Sequence, residues 1–350
     1  MDENACIFPA NSERVATMVR PSTRNPKLDD VAARAGVSTA TVSRFLNNPD
    51  IVAAGTAVRI RAAIEEMQYV PNLLAGGLAS SRSKMVAVLI PHLVDSLFDR
   101  TIETMVEELN AGGTMVMLAL TGTAAGRTEA MIRAAMGRQV DAIVSTAPLS
   151  AETTALIQHF PGLFVQIWDL PAEPPGIAVG FSHVEIGHDL ARFIYERGYR
   201  RPALVSAELG RARLRRDGFV QGWEAHSDTP VKEIAVDSPS RFGHARRVFA
   251  ELRRQPERPD VVVCGSDSLA QGIIVEANAA GLKVPDQLAV VGFGNASVAS
   301  DMRPTITTVE IDGAQIAREV NAAVRSHVSG VAPKQRSVNV GFRIIARESA

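Results

Sequence analysis

From residue 85 onward, short runs of β-branched residues alternate with stretches that carry apolar residues at helical spacing. Examples of the apolar runs are MVAVLI, AIVST, VVVCG and LAVVGF. This alternation is typical of parallel sheets that helices cover on both faces. The region spans about 265 residues, which is more than one sheet of ordinary size requires. The pattern therefore predicts an α/β domain over residues 85–350, built from two similar lobes with a cleft between them.

Residues 28–70 have a different pattern, which predicts three short helices. Gly36 is placed to end the first helix, and Ser38 is a favourable N-cap for the second, TATVSRFLN. Two helices joined by such a tight turn form a helix-turn-helix, whose second helix lies in the major groove of DNA. The helix pattern alone is equally compatible with an ordinary three-helix bundle that has a solvated outer face.

Charge is balanced over the whole chain, with 37 Lys and Arg against 38 Asp and Glu. Between residues 20 and 84, however, nine basic residues stand against five acidic ones, a local charge of +4. This excess has the sign that contact with DNA phosphates needs. The two cysteines lack the spacing of a disulfide framework or a zinc site, so we expect a reduced cytoplasmic setting. No metal, cofactor, membrane segment or secretion signal is predicted.

The predicted second helix offers side chains suited to DNA. Arg44 can donate two hydrogen bonds to guanine, and the methyl groups of Thr39 and Ala40 are short enough to touch thymine. Contacts with phosphate fix the register of a protein on DNA without reading sequence. The side chains predicted to bond phosphate from this helix and its cap are Ser38, Thr41, Ser43 and Asn47.

The segment LDDVAARAGVSTATVSRFLNNP, followed by QYVPNLLAGGLAS, resembles the lactose-repressor (LacI/GalR) family of bacterial transcription regulators. The resemblance implies a homodimer whose two helix-turn-helix units bind a pseudo-palindromic operator. The polar, proline-containing stretch 1–25 predicts a mobile arm, and the glycine- and serine-rich stretch 72–84 predicts a hinge linker. Between them lies the all-α helix-turn-helix DNA-binding domain at 26–71, and the resemblance covers about residues 28–350. It also implies that Tyr69 and Asn72 contact phosphate and that Leu78 wedges between base steps in the minor groove.

Three features depart from the family pattern. Gly76 and Gly77 precede Leu78, and each glycine costs a helix about 1 kcal/mol, so the hinge helix is expected to be weak without DNA. Ala53 stands where the family usually has a serine N-cap, and Ala57 stands where it often has arginine. Both changes remove expected phosphate contacts, so low non-specific affinity for DNA is expected.

For residues 85–350, the resemblance implies an α/β two-lobed periplasmic-binding-protein-like domain with a small effector in its cleft. Arg215, in RARLRRDGF, occupies the place of a ligand-binding arginine, although a basic surface helix is the alternative. Trp168 suits a sugar ring and equally suits a core position. The residues predicted to bind the effector are Phe98, Trp168, Asp169, Arg213, Arg215, Ser266, Asp267 and Asn295.

Gly294 stands where the family often has an aspartate, which removes a carboxylate from the predicted cleft. With its arginines kept, the cleft favours an anion, and the segments IWDLP and GFGN resemble the gluconate-regulator branch of the family. A sugar acid such as gluconate is therefore the first expected effector, with a neutral sugar as the second. Induction is the expected response, and corepression by a non-sugar metabolite is the alternative.

Catalytic motifs are poor in this sequence. It has no GxGxxG after a strand and no GxxxxGK[ST], and its seven histidines show no metal-site spacing. A regulator without enzymatic activity is therefore expected. The competing interpretations are a sugar-processing enzyme fused to a DNA-binding segment and a nucleoid-type DNA-binding protein. The last residues, RIIARESA, show no leucine heptads, which favours a dimer over a tetramer.

Overall fold

A computed structural model describes residues 25–71, 82–93, 98–122, 124, 126–208 and 210–350. The chain divides into two compact units, Met1–Ala79 and Ser80–Ala350. The predicted arm at 1–25 lies almost entirely outside the described residues, as does most of the predicted hinge at 72–84. These boundaries remain predictions.

The first unit contains the three predicted helices. They are α1 (Leu28–Ala35), α2 (Thr39–Asn47) and α3 (Ala54–Met67). Gly36 ends α1 in the left-handed conformation, with φ of 65°, and the Ser38 hydroxyl accepts a hydrogen bond from the Thr41 amide at 3.3 Å. Ala53 begins α3 without a side-chain cap, as expected from its sequence. The helices enclose a small core of Val31, Ala32, Ala35, Val42, Phe45, Ile60, Ala63 and Tyr69.

The second unit is made of two α/β lobes. Lobe 1 contains β1 (Met85–Ile90), α4 (Asp99–Ala111), β2 (Met115–Leu120), α5 (Arg127–Gly137), β3 (Ala142–Ser145), α6 (Ala151–Gln158), β4 (Leu163–Ile167) and β5 (Ile177–Gly180). Lobe 2 contains α7 (His183–Glu196), β6 (Pro202–Ser206), α8 (Arg211–Glu224), β7 (Lys232–Ala235), α9 (Ala245–Arg253), β8 (Val261–Cys264), α10 (Asp267–Ala279), β9 (Ala289–Phe293), α11 (Ser297–Asp301) and β10 (Thr307–Glu310). The chain then adds α12 (Gly313–Val328) and β11 (Ser337–Asn339) to lobe 1, and β12 (Arg343–Ile345) to lobe 2.

The two lobes share one strand order. Lobe 1 has the order β11-β5-β4-β3-β1-β2, and lobe 2 has the order β12-β10-β9-β8-β6-β7. All pairs are parallel except β10 with β12. In doubly wound sheets of this kind, ligands bind beyond the carboxyl ends of the strands. The predicted pair of similar parallel lobes is confirmed, whereas the short elements α6, α11, β11 and β12 were not predicted.

Helices α7 and α8 pack with their backbones in close contact because glycines line their interface. A Cβ added at Gly187 would lie 2.3 Å from the Arg215 carbonyl oxygen, and one at Gly218 would lie 2.3 Å from the Val184 carbonyl oxygen. No larger residue fits at either position without moving a helix. The start of α7 and the first turns of α8 are therefore held as one rigid piece.

Candidate effector site and nucleic-acid interface

The outer face of α2 carries the side chains that the sequence predicts for DNA contact. Ser38, Thr39, Ala40, Arg44 and Asn47 are exposed, whereas Thr41 and Ser43 are partly buried. Ser38 also caps α2, and the Asn47 amide donates to the Ser43 carbonyl oxygen at 3.0 Å. Exposed short and basic side chains at the start of a helix can approach the edges of base pairs.

The remaining predicted DNA contacts have different positions. Tyr69 is only 8% exposed and belongs to the core of the first unit, so its ring stabilises the three helices. Its contact with phosphate stays a prediction. Asn72 and Leu78 lie outside the described residues.

In the second unit, six residues meet at the carboxyl ends of the strands and form what we call the arginine–aromatic cluster. It consists of Phe98, Trp168, Asp169, His183, Arg211 and Arg215. Phe98 and Trp168 come from lobe 1 and pack edge to face, with ring centroids 4.9 Å apart. The two arginines come from α8 of lobe 2. The cluster therefore joins the two lobes where the fold is expected to bind a ligand.

Trp168 has a backbone conformation that is rare for a bulky residue, with φ of 63°. Its ring is held by Phe98 and Phe181, and its indole N–H donates to the Thr101 hydroxyl at 3.1 Å. Its carbonyl oxygen accepts hydrogen bonds from His183 at 3.0 Å and from Arg211 at 3.2 Å. Left-handed conformations of non-glycine residues cost about 1–3 kcal/mol and are concentrated at functional sites.

The two arginines of the cluster have different partners. Arg211 Nε lies 3.9 Å from Asp169 Oδ2, and both side chains are largely buried. Arg215 donates to His183 Nδ1 at 3.1 Å, and its guanidinium carbon lies 3.9 Å from the centre of the Phe293 ring. Burial, with a contribution from Arg211, lowers the pKa of Arg215 to about 10, so the group stays charged at neutral pH.

Arg213, which the sequence also predicts, points away from this cluster. Its side chain is 66% exposed and lies 3.7 Å from Asp217. Residues four apart share one face of a helix, whereas residues two apart lie on nearly opposite faces. Arg211, which the sequence analysis did not select, therefore accompanies Arg215. The i,i+4 spacing of these two arginines was the signal that identifies the pair.

His183 is the second residue that sequence reasoning missed. It lies at the start of α7 and contacts both Trp168 and Arg215. Burial, followed by the nearby charges of Arg215 and Arg211, lowers the pKa of His183 well below its usual value. Its position three residues after the end of β5, at the carboxyl edge of the sheet, was the only sequence signal.

Three predicted effector residues lie apart from the cluster, and their polar atoms bond within lobe 2. Ser266 caps α10 and donates to the Ser240 carbonyl oxygen at 2.9 Å. Asp267 is 1% exposed and accepts from the Thr308 hydroxyl at 2.6 Å and from the Ala296 amide at 2.8 Å. Burial raises the pKa of its carboxyl group.

Asn295 donates to Glu310 at 2.9 Å and accepts from Arg347 at 2.7 Å. Asp267 therefore ties α10 to β10 and to the segment after β9, whereas Ser266 bonds to Ser240 and Asn295 ties the segment after β9 to β10. A direct contact with an effector stays a prediction for each of them.

A small pocket lies at the carboxyl ends of β6, β8 and β9, lined in part by Arg215, Ser206, Cys264 and Phe293. Burial raises the pKa of the Cys264 thiol, which therefore stays protonated. Within the described ranges, no group of three or more His, Cys, Asp or Glu is placed to hold a metal ion. In the same part of the chain, no helix combines the length and apolar character needed to cross a membrane.

A helix-turn-helix unit and a two-lobed α/β unit in one chain define a DNA-binding transcription regulator. Residues 27–72 match the bacterial regulatory proteins of the lacI family, and residues 191–350 match the periplasmic binding protein-like domain. The chain is 32% identical over 331 residues to the HTH-type transcriptional regulator GntR of Pseudomonas aeruginosa, a match that covers 94% of this chain and 96% of that protein. This protein belongs to the lacI family of bacterial transcription regulators.

Two further comparisons agree with this assignment. The HTH-type transcriptional regulator GntR of Escherichia coli K12 is 29% identical over 327 residues, which cover 92% of this chain and 97% of that protein. The crystal structure of a LacI-family transcriptional regulator from Silicibacter pomeroyi superposes with a TM-score of 0.84 at 24% identity. That superposition covers 93% of this chain and 99% of the other, and it confirms the fold.

Proposed function

We propose that this regulator binds a pseudo-palindromic operator as a cytoplasmic homodimer and responds to a sugar acid such as gluconate. Operator DNA would be contacted by the exposed face of α2 and by the predicted hinge residues Asn72 and Leu78. The effector would bind at the arginine–aromatic cluster and change the populations of two arrangements of the lobes. A ligand shifts such an equilibrium only through different affinities for the two states.

The charge of the arginine–aromatic cluster carries this proposal. Arg211 and Arg215 are cationic, Asp169 supplies one negative charge, and His183 is neutral. The cluster therefore has a net charge of +1 in a largely buried place. An unpaired buried charge is costly, so a ligand with one negative charge complements the site. Guanidinium groups bind a carboxylate through paired hydrogen bonds, and the buried rings of Phe98 and Trp168 make the surroundings of the two arginines apolar.

Two other observations support the choice of gluconate. Both curated relatives described above carry the name GntR, in agreement with the resemblance of the segments IWDLP and GFGN to the gluconate-regulator branch. In addition, Gly294 presents no carboxylate that would repel an anion. A neutral sugar would leave the charge of Arg215 uncompensated.

The effector is tested by titrating tryptophan fluorescence with gluconate, with glucose as the control. Both tryptophans are buried, but Trp168 lies in the cluster, whereas Trp223 is bonded to the Thr229 carbonyl oxygen. We expect a saturable change with gluconate alone, and this change should be absent in Trp168→Phe. Equal responses to both sugars, or no response to either, would exclude gluconate as the effector.

The regulatory role is tested with DNA. Selection from random duplexes should return a pseudo-palindromic site, which is then labelled for fluorescence anisotropy. We expect gluconate to weaken binding, as an inducer does, whereas tighter binding would make gluconate a corepressor. If the selected duplexes share no palindromic sequence, the proposed operator is contradicted. If gluconate leaves the affinity for DNA unchanged, control by this effector is contradicted. Chemical conversion of gluconate by the protein would favour the sugar-processing enzyme instead.

The homodimer is supported by apolar side chains on the edge strand β2. Met115, Leu118 and Leu120 are 60%, 40% and 41% exposed, and an unpaired apolar edge strand favours association. A second copy of this chain is the partner that we propose for this edge. Leu118→Lys should shift the sedimenting species from dimer to monomer, whereas Val331→Lys, at a site that is 58% exposed, should not. A dimer unaffected by Leu118→Lys would place the interface elsewhere.

A further inference from the structure

The imidazole of His183 lies between two groups with opposite hydrogen-bonding requirements. Its Nε2 is 3.0 Å from the Trp168 carbonyl oxygen, which can only accept. Its Nδ1 is 3.1 Å from Arg215 Nη1, which can only donate. Both bonds form together only when Nε2 carries the proton and Nδ1 is an unprotonated acceptor. The partners therefore determine one neutral tautomer.

The surroundings of the ring oppose its protonation. His183 is 4% exposed, and its ring packs against Phe181 with centroids 4.8 Å apart. The charged groups that act on the ring are Arg215 and Arg211, both on α8. A proton on Nδ1 would add a third positive charge and remove the acceptor that Arg215 uses. Nδ1 is therefore available as an acceptor throughout the neutral pH range.

The bond from His183 defines how the Arg215 side chain is placed. A guanidinium has five N–H donors in a rigid plane, and His183 occupies one of them. The Phe293 ring, 3.9 Å from the guanidinium carbon, holds one face of that plane. Because Gly187 and Gly218 hold α7 tightly against α8, the ring and the guanidinium belong to one rigid pair of helices.

We propose that His183 is a positioning residue that orients Arg215 for an anionic effector and so contributes to selectivity for an acid over a neutral sugar. This inference rests on the proposed function, in which Arg215 binds the effector. His183 acts through Arg215 and is not assigned a contact with the ligand. The Arg211 bond to the same Trp168 carbonyl oxygen keeps that oxygen partnered when the imidazole is changed.

The hydrogen-bond assignment is tested first without any ligand. Long-range proton–nitrogen NMR spectra of protein labelled at its histidine nitrogens report the tautomer of each ring, and His183→Asn identifies the signal. We expect a protonated Nε2 and a bare Nδ1 for His183 at pH 7. In Arg215→Met, the ring should become easier to protonate, because a donor and a charge are lost. The other tautomer, or a titration unchanged in Arg215→Met, would overturn the assignment.

The positioning role is tested by comparing His183→Asn with His183→Gln. The Asn carbonyl oxygen can occupy the place of Nδ1 and accept a hydrogen bond from Arg215. The Gln amide reaches the place of Nε2 instead and cannot accept that bond. Gluconate affinity, measured by calorimetry, should fall by less than about threefold in His183→Asn and by roughly tenfold or more in His183→Gln. Equal losses in the two variants would mean that His183 is merely structural. If the unchanged protein binds no gluconate, the proposed effector fails, whereas the NMR spectra still decide the bond to Arg215.

Discussion

Replacing Arg215 by methionine is expected to weaken gluconate binding by roughly 10- to 150-fold. Hydrogen bonds to charged groups contribute about 1.5–3 kcal/mol, and 1.4 kcal/mol corresponds to a factor of ten in affinity. Arg215 has no carboxylate partner among the described residues, so a bound anion would supply its missing counter-charge. Methionine keeps an unbranched side chain that can still pack on the Phe293 ring, which limits the structural effect of the change.

Calorimetric titration with gluconate measures this loss, and Arg213→Met is the matched control. Arg213 is on the same helix but is 66% exposed and lies near Asp217, and exposed ion pairs contribute about 0–1 kcal/mol. We therefore expect less than about a fivefold change in the control. This reasoning would be refuted if Arg215→Met bound gluconate within threefold of the affinity of the unchanged protein, or if the two variants lost affinity equally.

Three further predictions concern DNA contact, helix packing and pH. Arg44→Ala should weaken operator binding by about 1–3 kcal/mol and relax specificity at one base pair. Fluorescence anisotropy with operator variants measures both effects. An equal loss of affinity for all operator variants would indicate a phosphate contact instead. Gly218→Ala should lower the free energy of unfolding in urea titrations by about 1–3 kcal/mol, because the added Cβ would lie 2.3 Å from a carbonyl oxygen. Gly137→Ala is the control and should cause no such loss, because the added Cβ would meet nothing within 4 Å. The lowered pKa of His183 means that the unfolded chain binds more protons below about pH 6.5. Stability should therefore fall as pH drops below that value, by at most about 1.4 kcal/mol per pH unit, and an identical slope in His183→Asn would contradict this.

Local signals predicted the helix-turn-helix well. Gly36 and Ser38 determine where α1 ends and α2 begins through backbone conformation and capping, which depend only on nearby residues. The strands of the second unit were predicted because parallel strands buried on both faces must be apolar along their length. The three-residue strands β11 and β12 are too short to form an apolar run, and the five-residue helix α11 is too short to show a helical period.

The effector site was predicted in part. Phe98, Asp169 and Arg215 came from a resemblance to the family, and Trp168 came from its place at the end of a predicted strand. All four meet in space. Arg213 was selected from its place beside Arg215 in the sequence, but a turn of 100° per residue carries it to another face of α8.

The sequence alone therefore determined the class of each domain, because capping, helical spacing and apolar runs act over a few residues. It also determined the local excess of positive charge near the helix-turn-helix. Only the tertiary structure brought His183 and Arg211 to the Trp168 carbonyl oxygen, because that contact joins three segments far apart along the chain. The same is true of Asp267, whose carboxylate accepts hydrogen bonds from the Thr308 hydroxyl and the Ala296 amide. Hydrogen-bond partners and desolvation depend on which segments pack together, and these properties decide what an ionisable side chain does.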